Sequence, residues 1–171
     1  MPVDPLLLYA YASDVLACAR AEVAASGGGV GDGMRVCVTP APVAEDGCCD
    51  GQLSAAVVRA YRSTTFPLPE GGAQPCGHAE TVIEVQVVVL RCAPLAADVT
   101  SPPPCEGVGS LDEAARLVLR DAYAVRRAIE CCLPMRHRAL GETRFIHDAC
   151  VGSDTRVLIG LEDGCACGDG P

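Results

Sequence analysis

Residues Thr81–Leu90 read TVIEVQVVVL, and the fold turns on this stretch. Ile83, Val85, Val87 and Val89 alternate with Glu84 and Gln86, so a period of two puts the four apolar side chains on one face. β-Branched residues dominate it, and they suit a pleated surface better than a helix, where they lose χ1 freedom. The pattern predicts a half-buried strand at the centre of a sheet. Around it, the segment Cys48–Cys92 holds a second strand candidate at Gln52–Ser63, whose Val57, Val58 and Tyr61 alternate less cleanly. Phe66–Gly77, between the two, carries three prolines and three glycines and reads as a loop.

Toward the N-terminus, Asp4-Pro5 is a helix start: the Asp side chain accepts from free amides, and Pro costs nothing at the first position. Leu8, Tyr11, Val15 and Cys18 follow at helical spacing, and an Ala-rich run carries the helix to about Ala25, before Ser26-Gly27-Gly28-Gly29. The glycines of 27–33 are a short link, with no Lys and no helix after them to make a phosphate-binding loop. Met34–Thr39 is a short strand, stopped by Pro40. Toward the C-terminus, Ala96–Gly109 reads as loop, extended at Pro102-Pro103-Pro104. Ser110 and Glu113 form a capping box. Leu111, Ala115, Val118, Ala122, Val125, Ile129 and Cys132 then recur every three or four residues, an amphipathic helix ended by Pro134. Met135-Arg136-His137-Arg138 reads as an exposed basic loop. A hairpin closes the domain, with strands at Arg144–Cys150 and Thr155–Leu161 across Val151–Asp154. The order α-β-β-β-α-β-β predicts one α+β domain over residues 1–171: a mostly antiparallel central sheet of four to five strands flanked by two helices. Residues 1–26 hold the first helix, 34–161 the α+β core, and 162–171 an acidic Cys/Gly tail.

Composition narrows the function classes. The formal net charge is −9, and all 13 basic residues are Arg. Absence of Lys removes Schiff-base and P-loop chemistry. An acidic balance without a basic run argues against general binding of nucleic-acid phosphates. No run of about 18 apolar residues predicts a membrane span, and Met1–Leu6 lacks a positively charged leader, so synthesis and use in a cytoplasm are expected.

Twelve cysteines, at 18, 37, 48, 49, 76, 92, 105, 131, 132, 150, 165 and 167, must be reconciled with that compartment. None has Cys-x-x-Cys spacing, so no zinc knuckle is read locally. Disulfides formed after release from the cell, buried thiols and a metal site assembled in space all remain open. Cys76 and His78 are the one conceivable reactive dyad, His137 lies in the basic patch, and His147 alternates with Phe145 along a strand. No Gly-x-Ser-x-Gly, His-Glu-x-x-His or calcium loop is present. The expectation is therefore no catalytic residue, no cofactor and no dedicated metal ligand, and a structural or interaction protein.

The motif order resembles a family of cysteine-rich head-to-tail connector proteins of tailed phages that infect actinobacteria. The resemblance rests on Cys37-x-x-Pro40, Asp46-x-Cys48-Cys49-x-Gly51-Gln52-Leu53, Phe66-Pro67, Gln74-Pro75-Cys76-Gly77 and Arg91-Cys92-Ala93-Pro94. Asp121, Cys131 and Cys165-x-Cys167 extend it, so that it spans about Arg35 to Cys167. The Cys-Cys-x-Gly-Gln-Leu block is its most specific part, and the absence of Trp is a departure from it. Within such necks, a leading helix, a central sheet and a second helix are similar to tail terminators. The resemblance implies a structural virion protein that forms a homo-oligomeric, hexameric ring. Such a ring caps the tail tube and joins it to the stopper, leaving a channel through which DNA passes without sequence-specific binding. It implies a place at the neck of the virion, assembly in the host cytoplasm and no membrane partner.

On this reading the loops Phe66–Gly77 and Ala96–Gly109 have the length and composition of segments that order on a partner. Phe66, Pro67, Pro102, Pro103, Arg136, His137 and Arg138 are the interface candidates. Cys37, Cys48, Cys49, Cys76, Cys92, Cys131, Cys132, Cys165 and Cys167 are the disulfide candidates, their pairing left open. Three alternatives stand beside it: a stopper or adaptor of the same neck, a zinc-binding interaction module, and a small enzyme using Cys76 and His78.

Overall fold

The structure, a computed structural model, describes residues 4–27, 30, 33–40, 50–69, 79–93, 102–147 and 150–161. It contains α1 (Pro5–Ala25), β1 (Arg35–Thr39), β2 (Gln52–Ser63), β3 (Glu80–Cys92), α2 (Leu111–Cys132), β4 (His137–His147) and β5 (Cys150–Leu161). The five strands form one sheet in the order β1-β2-β3-β5-β4, with β3 at its centre. All neighbours are antiparallel except β1 and β2, which run parallel from Arg35 opposite Gln52. The α+β fold with a mostly antiparallel sheet and two flanking helices is thus observed.

Both helices lie on the same face. Ile83, Val85, Val87 and Val89 of β3 pack in one core with Val15, Ala19 and Val23 of α1, Val125, Ala128 and Ile129 of α2, and Val157 and Ile159 of β5. α1 covers the β1–β2 side and α2 the β5–β4 side. The helices run antiparallel, since Cys18 meets Cys132 while Glu22 meets Arg127. The α1 start forms as its sequence demands: Leu6 N donates to Asp4 Oδ1 at 2.9 Å, and Pro5 takes the first position. Ser110 Oγ accepts from Glu113 N at 3.1 Å at the head of α2, while the Glu113 carboxylate reaches Gly109 N rather than Ser110 N. α2 is fastened to the end of β3 by a fork-shaped ion pair. Arg91 Nε and Nη2 donate to Asp121 Oδ2 and Oδ1 at 2.8 and 3.1 Å, with Asp121 fully buried.

Four expectations are corrected. β3 is buried on both faces, not one: Val82, Val88 and Leu90 are inside, and so are Glu84 and Gln86. Glu84 tolerates burial because Arg59 and Arg156 pair with it, and Gln86 donates its Nε2 to Asp154 while its Oε1 stays without a hydrogen-bond partner. The closing hairpin does not turn across Val151–Asp154: those residues belong to β5, which starts at Cys150 and pairs along its whole length with β3, and β4 runs to His147. His137 and Arg138 open β4 rather than sitting in a loop, because Arg138 pairs with Leu158 in the ladder. Finally, Leu111 is exposed and the buried residues of α2 begin only at Val118. The Arg91–Asp121 pair shows why: β3 ends level with the middle of α2, so its first turns project past the sheet.

Two register shifts govern what the sheet presents. One falls between Val57 and Arg59 in β2, the other between Ala139 and Gly141 in β4. An extra residue in one strand reverses the side-chain alternation beyond it. Ala55 and Val57 therefore face the helices, whereas Arg59 and Tyr61, beyond the shift, lie opposite Glu84 and Val82 on the other face. This is why the alternation of β2 looks weak in sequence. Among the described residues, no helix is long and apolar enough to cross a membrane.

Candidate functional site

The sheet face turned away from the helices carries a layer of guanidinium groups over a layer of carboxylates. Arg59 Nη2 lies 3.0 Å from Glu84 Oε2, and Arg156 Nη1 lies 3.3 Å from Glu84 Oε1. Arg156 also reaches Asp154, at 3.5 Å. Arg136, just before β4, pairs with Glu80 at 3.0 Å. The acids are the inner layer: the Glu84 side chain is 7% exposed, against 55% for Arg59, 48% for Arg156 and 61% for Arg136. Each arginine spends one edge on a carboxylate beneath it and leaves its remaining N–H donors toward solvent. Arg138, exposed on the same face, pairs with none of the described residues.

Aromatic rings hold two of these guanidiniums in place. Arg59 lies 4.9 Å from the Tyr61 ring centroid, and Arg136 lies 4.6 Å from that of Phe66. Tyr61 donates its hydroxyl to Pro67 O at 2.7 Å, which ties the Phe66-Pro67 turn back to β2. Burial pushes the Tyr61 phenol up from its ordinary pKa, opposed by nearby Arg59 and aided by Glu84, so the proton this bond needs is retained. Phe66 fits because β5 has Gly160 beneath it: a Cβ there would stand 3.2 Å from the Phe66 ring and 2.5 Å from Glu80 Oε2.

The interface candidates therefore divide between two places. Phe66, Pro67, Arg136, His137 and Arg138 come together at the end of the sheet where α2 finishes. His137 is half-buried there, with Nδ1 2.9 Å from Met135 O. Pro102 and Pro103 lie at the other end of α2, leading into a turn over Cys105–Gly109. That turn is held by Leu111 N donating to Pro104 O at 3.0 Å and Asp112 N to Cys105 O at 3.2 Å. Gly107 and Gly109 supply its positive φ angles of 99° and 72°. At its tip Val108 is 97% exposed, flanked by exposed Glu106, Asp112 and Glu113. Helix α2 has 22 residues, so at about 1.5 Å per residue the two places lie roughly 30 Å apart along it.

Among the cysteines, Cys132 is paired, but with Cys18, which the sequence places only on the apolar face of α1. Cys150 is also disulfide-bonded. Cys37 and Cys131, both disulfide candidates, are exposed thiols instead, as is Cys105. Cys37 lines a groove of about 560 Å³ between α1 and the edge strand β1, where the facing α1 residues are Ala17, Ala21 and Ala24 rather than cysteine. Cys48, Cys49, Cys76, Cys165 and Cys167, and with them His78, lie outside the described residues. Among the described residues, no three metal-ligating side chains cluster.

Sequence reasoning missed Arg59, Arg156, Glu80 and Tyr61. The only signal for the first and last was the doubled valine Val57-Val58, which marks the shift that turns them outward. Glu106 and Val108 were within reach of a reading, as the residues just ahead of the capping box. No protein-family model matches the chain, and no curated protein matches it.

Proposed function

We propose that this chain is a structural protein of the neck of a tailed phage infecting actinobacteria: a tail terminator that forms a hexameric ring, caps the tail tube and receives the stopper above it. The observation that carries the reading is the coincidence of the connector-like motif order with this architecture, a leading helix, a central sheet and a second helix. Several features support it. The chain carries two separate exposed surfaces at opposite ends of α2, one of arginines and aromatic rings and one acidic with an apolar tip, and a ring subunit between neighbours needs two such surfaces. Guanidiniums pre-ordered over aromatic rings suit recognition of carboxylates, and Arg and aromatic residues are the side chains enriched in protein interfaces. A net charge of −9 repels DNA at long range, which suits a channel through which DNA must slide.

The mechanism is assembly rather than catalysis. Copies bury their complementary ends against one another, closed symmetry fixes their number, and the finished ring presents one rim to the tube and the other to the stopper. The disulfide between α1 and α2 holds the helical layer together in a particle that leaves the cell. Removal of the gene from a phage that carries it tests the reading. Full heads and unjoined tails should accumulate, and supply of the chain in trans should restore joined particles. Normal particles without the chain would refute the assignment.

A further inference from the structure

The two ends of α2 differ in charge and shape in a complementary way. At one end, the outer layer of the sheet is arginine, with Arg136 set on Phe66, Arg138 unpaired beside it and Leu68 63% exposed. At the other, the Cys105–Gly109 turn and the first turns of α2 project past the sheet, with an apolar tip at Val108 and acidic flanks at Glu106, Asp112 and Glu113. We propose that the arginine face of one copy receives the Val108 turn of the next, so that the ring closes head to tail through this contact. The inference deepens the ring reading above and rests on it.

Three observations favour a second copy over other occupants. The arginine face is edged by the exposed apolar side chain of Leu68, and a compact acidic knob with an apolar tip matches both its charge and its apolar edge, whereas a phosphate backbone would match its charge alone. At the tip of the knob Val108 is almost wholly exposed and Glu106 pairs with none of the described residues, while Asp112 is held by Arg116 and Glu113 by Gly109 N, so the knob is a preformed, net acidic surface. The two surfaces also sit at opposite ends of one rigid helix. They cannot meet within a subunit, and the contact between copies is heterologous, the kind that generates rings.

Arg138→Glu and Glu106→Arg test the contact, because neither residue pairs with another in the described fold and both substitutions leave the core alone. Assembly is followed by native mass spectrometry over a dilution series, with circular dichroism to verify folding. Wild type should form closed oligomers. Each variant alone should need roughly tenfold or more protein to assemble, as like charges meet at the contact. An equimolar mixture should recover assembly, in rings that alternate the two variants and so hold even numbers of copies. A wild type that stays monomeric, variants that assemble like wild type, or a mixture without recovery would each overturn the inference. Binding of wild type to a short duplex DNA, lost in Arg138→Glu and unrestored by mixing, would assign the face to phosphate instead. A monomeric wild type removes this contact and leaves the neck assignment to the gene-removal test. Normal particles without the chain remove that assignment even if copies pair through the contact.

Discussion

Gly152 and Gly160 both belong to β5, yet a methyl group would meet different neighbours at each. At Gly152 the built Cβ runs into the Val89 carbonyl oxygen, a backbone atom of the central strand, with Leu90 Cδ2 at 3.0 Å. At Gly160 it meets side-chain atoms, Glu80 Oε2 and the Phe66 ring, which can shift by rotation at the cost of loosening their contacts with Arg136, whereas a backbone oxygen cannot. Gly152→Ala should therefore cost about 3 kcal/mol in urea unfolding, the upper end for overpacking, and Gly160→Ala nearer 1 kcal/mol. Asp121→Ala tests a different residue-scale feature. It leaves the Arg91 guanidinium largely buried without its carboxylate, and should cost about 3–5 kcal/mol by the same assay. None of these three was legible as such in the sequence. A glycine in a strand signals a close approach without naming the atom, and an Arg–Asp pair thirty positions apart has no local signature.

At the scale of elements, periodicity and capping carried the reading. β3, α1 and α2 are legible as elements because each carries a long periodic run behind a clear start, although β3 proves buried on both faces, α2 buries its apolar stripe only from Val118, and Glu113 caps Gly109 N rather than Ser110 N. The closing hairpin and the start of β4 were not legible, because pairing along β3 and β5 fixes their limits. The register shift in β2 was hidden too, since one extra residue makes a regular strand look irregular. Two predictions belong here. Ser110→Ala should cost about 1 kcal/mol, the usual value of an N-cap, and should raise hydrogen exchange in the projecting first turns of α2. The Cys18–Cys132 bond closes a loop with a sequence separation of 114. Replacing both cysteines by Ser should lower stability by about 2–4 kcal/mol, or roughly 2–4 °C in Tm for each kcal/mol at this chain length. An unchanged Tm would mean that packing alone holds the helices together. The sequence could not pair these cysteines, because only the antiparallel crossing of α1 and α2 brings them together.

At the scale of the whole molecule, an acidic protein gathers arginines on one sheet face, conceals the matching carboxylates beneath them and projects an acidic knob from the far end of its longest helix. Phe66 and Arg136 were each legible as exposed candidates, but their stacking was not, since it depends on a turn after β2 meeting the approach to β4 over Gly160. The polarity this gives the chain is what the proposed head-to-tail closure needs. The most direct test is an electron cryomicroscopy reconstruction of the head–tail junction in a particle encoded with this chain. The account predicts a sixfold ring of this α+β domain between the tail tube and the stopper. A junction built wholly of other proteins, with this chain absent from the particle, would contradict it.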